Sequence, residues 1–277
     1  MKTALIISSQ VAASRVGASA SAFCLQRLGV STIVLPTTLL GRHPGWGAPG
    51  GGAVDASRLS DMWQAIAAQT IKIDAVLTGY MAQAAQIDLA AAIIKALRKA
   101  NPALTVLIDP VMGDHGKLYV PDAIALGIKE RLLPLADYST PNLWELGYIT
   151  GKPADNPQHI LRAAGTLPGR TLVTSVPKGG QIGAMLCGPD SAAQVSHAKF
   201  DNTPHGGGDS LAGTFLARLL TGHAPYDALA LSTASIFEIL KPAQAAGDNE
   251  LPLVHGQRAL TDAKPLPLLP IHKDSHD

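Results

Sequence analysis

Short apolar runs alternate with longer amphipathic segments along most of the chain. The short runs are rich in branched side chains, as buried strands are, whereas the longer segments repeat apolar residues every three or four positions, as helices do. The strands predicted in this way are Ala4–Ile7, Thr32–Leu35, Ala75–Thr78, Leu104–Ile108, Thr171–Thr174, Ile182–Leu186 and Val195–Ala198. The helices predicted are Ala18–Leu28, Ser57–Gln69, Gln83–Ala100, Asp122–Leu133, Leu143–Ile149, Ser210–Leu220, Tyr226–Leu240 and Pro252–Leu260. Because strands that alternate with helices need crossover connections, the pattern predicts an α/β fold with a mostly parallel central sheet.

Two segments do not follow this alternation. The first, Gly41–Gly52, is too rich in Gly and Pro for a regular element, and it is either a flap over a binding site or a mobile surface connection. The second, residues 263–277, contains three prolines and is expected to form an extended tail. We therefore expect a single domain over residues 1–262, followed by this tail.

Composition excludes several classes of protein. The 277 residues suit one large globular domain, and 22 Lys and Arg against 21 Asp and Glu leave a net charge of +1 without a basic block, which argues against nucleic acid as a partner. No run approaches the roughly 20 apolar residues of a membrane span, and Ala4–Ile7 is too short for a signal peptide. The two cysteines, Cys24 and Cys187, are expected to be buried and reduced, which fits a cytoplasmic protein.

A glycine-rich stretch, His205–Asp209, lies directly before the apolar helix Ser210–Leu220. Three glycines leave backbone N–H groups free to point inward, and the helix N-terminus adds further N–H groups, so the stretch suits an anion such as phosphate. Asp209 would repel that anion, but it makes sense as a base that takes a proton from a hydroxyl about to attack a phosphoryl group. The alternative is a glycine-rich turn in which Asp209 is only the helix N-cap.

Polar residues follow several of the predicted strands, including a short strand near Tyr138. Because ligands of open parallel sheets bind beyond the carboxyl ends of the strands, these residues are expected to converge on one rim and form an active site. They are Ser9, Gly79-Tyr80, Asp109–Asp114, Thr140–Glu145, Thr174-Ser175 and His205–Asp209.

Four acidic residues, Asp109, Asp114, Glu145 and Asp209, would repel one another on that rim unless a cation lay among them. The chain has no His/Cys cluster for zinc, whereas carboxylates together with water and phosphate oxygens suit Mg²⁺, which phosphoryl transfer requires. The alternative is that each acid caps a helix or pairs with an arginine elsewhere. The absence of a Gly-x-x-x-x-Gly-Lys-Ser/Thr loop, of Gly-x-Gly-x-x-Gly after the first strand and of Gly-x-Ser-x-Gly argues against P-loop kinases, dinucleotide oxidoreductases and common hydrolases.

Together these motifs resemble those of the pyridoxal kinases, a branch of the ribokinase-like small-molecule kinases. The similarity extends in order from about Ile6 to Leu260 and implies a three-layer αβα fold with a mostly parallel central sheet and a short flap at about 41–52. The stretches that carry it are Asp109-Pro110-Val111-Met112-Gly113-Asp114 with Gly116–Val120 after it, Thr140-Pro141-Asn142-Leu143-Trp144-Glu145, Gly206-Gly207-Gly208-Asp209 and Gly79-Tyr80.

The resemblance implies ATP-dependent phosphorylation of the 5′-hydroxymethyl group of pyridoxal and its relatives. By position, it makes Asp209 the catalytic base and Gly206, Gly207 and Gly208 the anion site. Substrate contacts are implied for Ser9, His43, Tyr80 and Asp209. Contacts with ATP are implied for Asp109, Thr140, Asn142, Glu145, Thr174 and Ser175, and contacts with Mg²⁺ for Asp109, Asp114 and Glu145. The resemblance also implies a homodimer and leaves dependence on a monovalent cation open.

The sequence departs from this family in three places. The flap motif His-Thr-x-Tyr-Gly reads His43-Pro44-Gly45-Trp46-Gly47 here, an early Gly-Asn is Gly17-Ala18, and the second residue of the anion site is Gly207. These departures keep two alternatives open. One is a kinase of the same fold that acts on hydroxymethylpyrimidine or another small alcohol, and the other is a non-catalytic protein that binds pyridoxal or nucleotide.

Overall fold

The computed structural model describes residues 1–200 and 203–272, so the predicted tail lies outside the described residues from position 273 onward. The strands are β1 (Thr3–Val11), β2 (Ser31–Leu40), β3 (Gly51–Ala53), β4 (Ala75–Thr78), β5 (Thr105–Ile108), β6 (Gly113–Asp114), β7 (Lys117–Leu118), β8 (Tyr138–Ser139), β9 (Arg170–Lys178), β10 (Gln181–Cys187), β11 (Ala192–Ala198) and β12 (Leu269–Ile271). The helices are α1 (Ala18–Arg27), α2 (Ala56–Ala67), α3 (Ala84–Ala100), α4 (Asp122–Gly127), α5 (Leu143–Thr150), α6 (Pro157–Ala164), α7 (Gly207–Leu220), α8 (Pro225–Ala246) and α9 (Ala259–Asp262).

A ten-stranded sheet orders its strands β12-β11-β10-β9-β8-β5-β4-β1-β2-β3, while β6 and β7 form a separate hairpin. The six strands from β9 to β2 pair in parallel, and antiparallel strands extend the sheet at both edges. The predicted α/β fold with a mostly parallel central sheet is therefore confirmed.

Helices cover both faces of this sheet. Successive side chains of a strand point to opposite faces, and in β1 the residues Ala4 and Ile6 join one hydrophobic cluster while Leu5 and Ile7 join another. The first cluster also contains residues of α1, α7 and α8, and the second contains residues of α2, α3 and α4. Because β1 is buried on both faces, it reads as an unbroken apolar run in the sequence.

The prediction of a helix over Pro252–Leu260 was wrong for most of its length, because only Ala259–Asp262 is helical. Leu251 and Leu253 are both buried, which is the two-residue spacing of an extended segment. The N–H group of Leu251 donates to the carbonyl oxygen of His205, so this backbone is bonded to another segment before it turns.

Other boundaries differ for local reasons. The helix predicted over Asp122–Leu133 is α-helical only to Gly127 and continues as a π-helical turn, and α6 was not predicted although Asn156 caps its start. Part of the flap is regular, since β3 pairs with β2. Within the predicted tail, β12 pairs with β11 and extends the sheet.

None of the helices in the described part of the chain combines the length and the apolarity that crossing a bilayer requires. Cys24 and Cys187 are both buried and form no disulfide, as predicted.

Candidate active site

The polar residues predicted beyond the strand ends lie along one edge of the sheet. Backbone hydrogen bonds continue past β4, β5 and β8 and fix the first residue after each strand. Gly79 donates to Ile7, Asp109 to Thr78 and Thr140 to Ile108, over N···O distances of 3.0, 3.0 and 3.1 Å. Since every one of these residues is bonded to a neighbouring strand, the sheet itself positions the rim. Ser9 and Thr174-Ser175 differ from the prediction, because β1 extends to Val11 and β9 extends to Lys178, so these residues lie inside strands. Ser9 lies at an irregularity in the pairing of β1 with β2.

Glu145 joins the start of α5 to the loop after β5. Its Oε2 accepts from the N–H of Asn142 at 2.9 Å, and the side chain of Asn142 accepts from the N–H of Glu145 at 2.8 Å, which is a reciprocal cap. Its Oε1 accepts from the N–H groups of Met112 at 2.8 Å and Gly113 at 3.3 Å. The Nδ2 of Asn142 donates to the carbonyl of Gly113 at 2.8 Å. The helix-cap alternative therefore describes Glu145 in part, since the carboxylate caps α5 and also bonds to a second loop.

Asp109, Asp114, Glu145 and Asp209 form a group that we call the acidic cluster. Burial, and then the charges of Glu145 and Asp209, raise the pKa of Asp109 well above its usual value. Burial also raises the pKa of Glu145. The backbone N–H groups that bond to its carboxylate oppose this rise, and the charge of Asp114 adds to it. Neighbouring carboxylates that disfavour one another's ionised form make a place where a cation is stabilised.

The cluster does not enclose a metal by itself. Among the described residues, no three His, Cys, Asp or Glu side chains converge closely enough to hold a metal ion. Both oxygens of Glu145 already accept hydrogen bonds, and Asp114 is half exposed and accepts from the N–H of His115. The buried Oγ1 of Thr140 makes no hydrogen bond of normal geometry. A magnesium ion here would need ligands from water and phosphate as well, which is common for Mg²⁺.

The glycine loop, Gly206–Gly208, leads directly into α7. Gly206 has φ +94°, and a Cβ on it would lie 2.4 Å from the carbonyl oxygen of Arg15, so only glycine fits. The helix begins at Gly207, three residues earlier than predicted, and Asp209 therefore lies in its first turn rather than at the N-cap. A Cβ on Gly207 or Gly208 would meet no heavy atom within 4 Å, so open space lies beside the first residues of α7, whose N–H groups have no partner within the helix.

Gly17 links Asp209 to Ser9. Burial raises the pKa of Asp209, and a hydrogen bond from the backbone N–H of Gly17 lowers it in part. A Cβ on Gly17, which has φ +58°, would lie 2.3 Å from the Oγ of Ser9. The hydroxyl of Ser21 donates to the carbonyls of both Gly17 and Asp209, at 3.0 and 3.2 Å, so the N-termini of α1 and α7 are held together.

The main cavity opens beside the glycine loop and has a volume of about 1150 Å³. Its lining includes Gly207 and Gly208 of the predicted anion site, Asp114 of the acidic cluster, and Thr174 and Ser175 of β9. The cavity therefore brings these three predicted groups of residues together. In the pairing of β9 with β10, Ser175 is the extra residue of a bulge and has φ +61°. A bulge of this kind redirects a side chain next to a site.

Aromatic and apolar side chains form the walls of this cavity. Trp144 and Tyr148 stack with ring centroids 5.3 Å apart on one wall, and Leu211 and Ile236 contribute apolar surface from α7 and α8. A large, mainly apolar cleft with polar groups at one end is typical of a binding site for a small molecule.

His43 and Tyr80 were predicted to contact substrate, and neither lines the main cavity. His43 packs its ring on that of His205, with centroids 4.4 Å apart. Tyr80 is partly buried against the cluster beneath α3, and its carbonyl accepts from the hydroxyl of Thr37 at 2.7 Å. Whether these residues reach a substrate stays a prediction.

Three residues near the site received no individual role from the sequence. Gly17 owes its importance to a positive φ that the sequence does not reveal. His205 belongs to the glycine-rich stretch, but its ring contact with His43 comes from a distant part of the chain. Burial and then the charges of Glu145, Asp109 and Asp209 raise the pKa of Tyr119, which follows β7 and was visible only as part of the motif after Asp114.

Comparisons with known proteins were made on sequence and on structure. A family model described as phosphomethylpyrimidine kinase matches residues 26–254. Pyridoxal kinase PdxY of Rubrobacter xylanophilus is 33% identical over 268 residues, which cover 92% of this chain and 92% of the relative.

Solved structures agree in fold. The pyridoxal kinase from Entamoeba histolytica has a TM-score of 0.92 at 23% identity and covers 98% of this chain and 100% of its own. The pyridoxal kinase from Leishmania donovani in complex with ADP and pyridoxamine has a TM-score of 0.91 at 22% identity, with the same coverage. These similarities confirm the predicted ribokinase-like three-layer αβα arrangement.

Proposed function

The chain belongs to the phosphomethylpyrimidine kinase family, and from this premise we propose that it is a pyridoxal kinase. It transfers the terminal phosphoryl group of ATP to the 5′-hydroxymethyl group of pyridoxal, pyridoxine or pyridoxamine. The observation that carries the proposal is Asp209, a carboxylate on the first turn of a helix whose free N–H groups open into a cavity of about 1150 Å³.

In this proposal the main cavity holds ATP. The phosphates lie against the N–H groups at the start of α7, where the helix dipole favours negative charge. Gly207 and Gly208 leave room for a phosphate to approach the backbone, since a side chain there would extend into open space. The hydroxyl groups of Thr174 and Ser175 face the same cavity, and Asn142 supports the site by holding Gly113 in place.

Asp209 takes the proton from the hydroxymethyl group as its oxygen attacks the terminal phosphorus atom. The bond from that phosphorus to the bridging oxygen breaks, and ADP leaves with the electron pair. Burial raises the pKa of Asp209, which makes its ionised form a stronger base toward an alcohol. The glycine loop supplies N–H groups for the charge that spreads over the transferred oxygens.

The acidic cluster fits a magnesium ion that arrives with the nucleotide. Asp109, Asp114 and Glu145 would hold it and its waters, and it would neutralise charge on the phosphates when bound. Asp109 and Glu145 already have raised pKa values because of burial and mutual repulsion, so a cation relieves a cost that the folded chain bears. The hydroxyl of Thr140, which interacts with Asp109, would add an oxygen ligand for a second, monovalent cation.

The substrate ring lies between the flap and the rim in this proposal. Ser9 is next to Gly17 and hence to Asp209, which places a hydroxyl within the same corner as the base. His43 approaches from the flap through His205, and Tyr80 contributes from the end of β4. We further propose that residues 1–262 form one kinase domain with residues 263–277 as its tail, and that the protein works as a cytoplasmic homodimer, which sedimentation of the purified chain would test.

The test is a turnover assay with the purified protein, ATP and Mg²⁺. Pyridoxal, pyridoxine and pyridoxamine are each supplied, and the phosphorylated product and ADP are quantified by chromatography. With pyridoxal as the substrate, equal amounts of ADP and pyridoxal 5′-phosphate are expected. Asp209→Asn is the matched inactive control. Tight binding of pyridoxal without any ADP formation would instead identify a non-catalytic binding protein.

A second candidate is phosphorylation of hydroxymethylpyrimidine, which the description of the matching family model favours. The altered flap residues Pro44 and Trp46 are the feature through which the substrate would differ. The same assay with hydroxymethylpyrimidine decides between the two. A kcat/KM larger for the pyrimidine than for all three pyridines would assign that substrate in place of pyridoxal.

A further inference from the structure

The flap is joined to the segment before the glycine loop by a cluster of aromatic rings. The ring centroids of His43 and His205 are 4.4 Å apart with an interplanar angle of 30°, and we call these two residues the histidine pair. Trp46 of the flap packs against both, at 5.6 Å from His43 and 6.3 Å from His205. The flap therefore rests on His205.

His205 is in turn firmly attached to the body of the protein. Its N–H donates to the carbonyl of Asn249 at 2.9 Å, and its carbonyl accepts from the N–H of Leu251 at 3.2 Å. The next residue is Gly206, whose backbone conformation begins α7 and so orients Asp209. A change in the packing of the His205 ring therefore acts on the backbone directly before the glycine loop.

The geometry requires a neutral His43. The N–H of Gly45 donates to Nδ1 of His43 at 3.1 Å, which caps the short turn Pro44–Trp46, and an Nδ1 that accepts a hydrogen bond carries no proton. Protonation of His43 places a proton on Nδ1 and removes this cap.

We propose that His205 is a positioning residue that docks the flap onto the glycine loop through its ring contact with the neutral His43, and that protonation of His43 releases the flap. The inference rests on the proposed function, since it concerns access of the phosphoryl acceptor to Asp209. It gives His205 a role that differs from proton transfer, because its ring contacts the flap and not the reacting atoms.

The charged and titratable groups around the pair come from the flap, from Arg15 and from residues 248–255, where Asp248, Glu250 and His255 line the same groove as Trp46. Glu250 lies beside the pair, held by the hydroxyl of Ser14 at 2.6 Å and by the N–H of Arg15. Arg15 and Trp46 line the same groove of about 610 Å³ next to the pair, and Arg42 lies within the flap with its Nε on the carbonyl of Ala48. Burial and then His205 lower the pKa of His43, while Glu250 raises it. His43 is therefore neutral at pH 7.5 and gains charge only as the pH falls below the usual range of a histidine.

The kinetic test compares wild type with His205→Ala and His205→Phe. Loss of an aromatic contact is expected to raise KM for pyridoxal roughly 3- to 10-fold in His205→Ala, with kcat and KM for ATP within about twofold of wild type. The Phe variant keeps a ring face at this position. It is expected to restore KM to within about twofold at pH 7.5, while the rise in KM at lower pH persists because His43 still gains a proton.

His223→Ala is the matched control, because His223 lies just beyond the other end of α7 and bonds to the carbonyl of Arg218. Its KM for pyridoxal is expected to equal that of wild type. An unchanged KM for pyridoxal in His205→Ala would overturn the proposal, as would an equal rise in the KM for ATP, which indicates general damage to α7. Should His205→Ala fail to fold, His205→Gln makes the same comparison, because it removes the ring and leaves a longer side chain in its place.

A second measurement needs no ligand. The emission of Trp46, taken as the difference between wild type and Trp46→Phe, should shift to longer wavelength as the pH is lowered from 8 to 5, because protonation of His43 releases the flap and exposes the indole to water. In His205→Ala this shift should already be present at pH 7.5. If the Trp46 emission of wild type and of His205→Ala were identical from pH 8 to pH 5, docking through His205 would be excluded. If the shift is found and no pyridine or pyrimidine is phosphorylated, the docking stands and the proposed function fails.

Discussion

The carboxylate of Asp209 is held between opposing influences. Burial raises its pKa, and the N–H groups of Gly17 and of Asp209 itself lower it. The balance leaves a group that binds a proton more readily than an exposed aspartate does. That property suits a residue that must accept a proton from an alcohol and later release it.

Asp209→Asn tests this role with a side chain of nearly the same shape. The amide accepts no proton, so kcat is expected to fall about 10²–10⁴-fold. Because the N–H groups of α7 are untouched, the affinity for ATP should change little. Steady-state kinetics with pyridoxal, together with calorimetric titration of ATP, measure both quantities. A kcat within tenfold of wild type would remove Asp209 from the reaction.

Asp109 makes a prediction about stability. Its pKa is raised in the folded chain by burial and by Glu145 and Asp209, so the folded state binds its proton more tightly than the unfolded state. This contribution to the free energy of unfolding is present below the unfolded pKa of about 3.9 and is lost as the pH rises through the folded value. Asp109→Asn cannot ionise and avoids that loss.

We therefore expect Asp109→Asn to be more stable than wild type at pH 7 by about 1 kcal/mol or more, with the difference vanishing near pH 4. Urea unfolding at the two pH values measures it. The exposed Asp61 on α2 provides the control, and Asp61→Asn should leave the unfolding midpoint unchanged at both. A less stable Asp109→Asn at pH 7 would show that the carboxylate contributes more to folding than its burial costs.

At the scale of elements, the start of α7 combines two kinds of glycine. Gly206 is required by the fold, because its positive φ and the nearby carbonyl of Arg15 exclude a side chain. Gly207 has free space around it, and its φ is ordinary for a helix. If position 207 requires glycine, the requirement comes from the space that a bound ligand needs and not from the conformation or packing of the chain.

The pair Gly206→Ala and Gly207→Ala separates these reasons. Gly206→Ala should lower the free energy of unfolding by about 1–3 kcal/mol, because it forces a side chain into a strained conformation. Gly207→Ala should keep or slightly raise stability, since alanine favours helix by up to about 1 kcal/mol over glycine. It should nevertheless raise KM for ATP, because its methyl group occupies the space of a phosphate. Thermal denaturation and ATP kinetics distinguish the two, and an unaltered KM in Gly207→Ala would place the nucleotide elsewhere.

Periodicity predicted the elements well where burial alone determines them. Ala75–Thr78 was predicted to the residue, and Ala84–Ala100 within one, because apolar spacing follows directly from which face is covered. The helix predicted after α8 was wrong because the backbone there bonds to His205. This partner lies about 45 positions earlier in the chain, so no local pattern contains it. The extension of β1 past Ile7 was likewise hidden, since Ser8 and Ser9 are polar residues that the sheet buries.

The candidate site shows the same division. Residue types indicated the acidic cluster and the glycine loop, because repulsion among carboxylates and the freedom of glycine are properties of the residues themselves. The reciprocal cap of Asn142 and Glu145 follows a known spacing and was available from the sequence. The contact of the histidine pair and the role of Gly17 arise from chain crossings, which only coordinates provide.

At the scale of the whole molecule, the site is built from both halves of the chain. Three members of the acidic cluster, Asp109, Asp114 and Glu145, come from the segments after β5 and β8, whereas Asp209 and the glycine loop lie at the start of α7. A ligand that contacts both sets of residues therefore connects distant parts of the chain. Its binding should stabilise the entire fold and not one segment.

Nucleotide binding should accordingly raise the unfolding temperature of the protein as a single transition. With ADP and Mg²⁺ at about 100 times the dissociation constant, the expected stabilisation is about 2.7 kcal/mol. Asp209→Asn should retain this gain and Gly207→Ala should lose most of it, since only the second alters the phosphate contact. Differential scanning calorimetry measures the shift. Two separate transitions, with only one responding to ADP, would contradict a site shared between distant parts of the chain.

The hydrogen bond from Ser14 to Glu250 joins residues that are 236 positions apart. A polypeptide emerging from the ribosome exposes Ser9, Gly17 and the early strands long before Asp209 or Glu250 has been synthesised. The pocket therefore cannot exist on a nascent chain until almost all of translation is over. Vitamins and nucleotides in the cell can assist only the final closure of this protein, and its first two hundred residues must remain soluble without them.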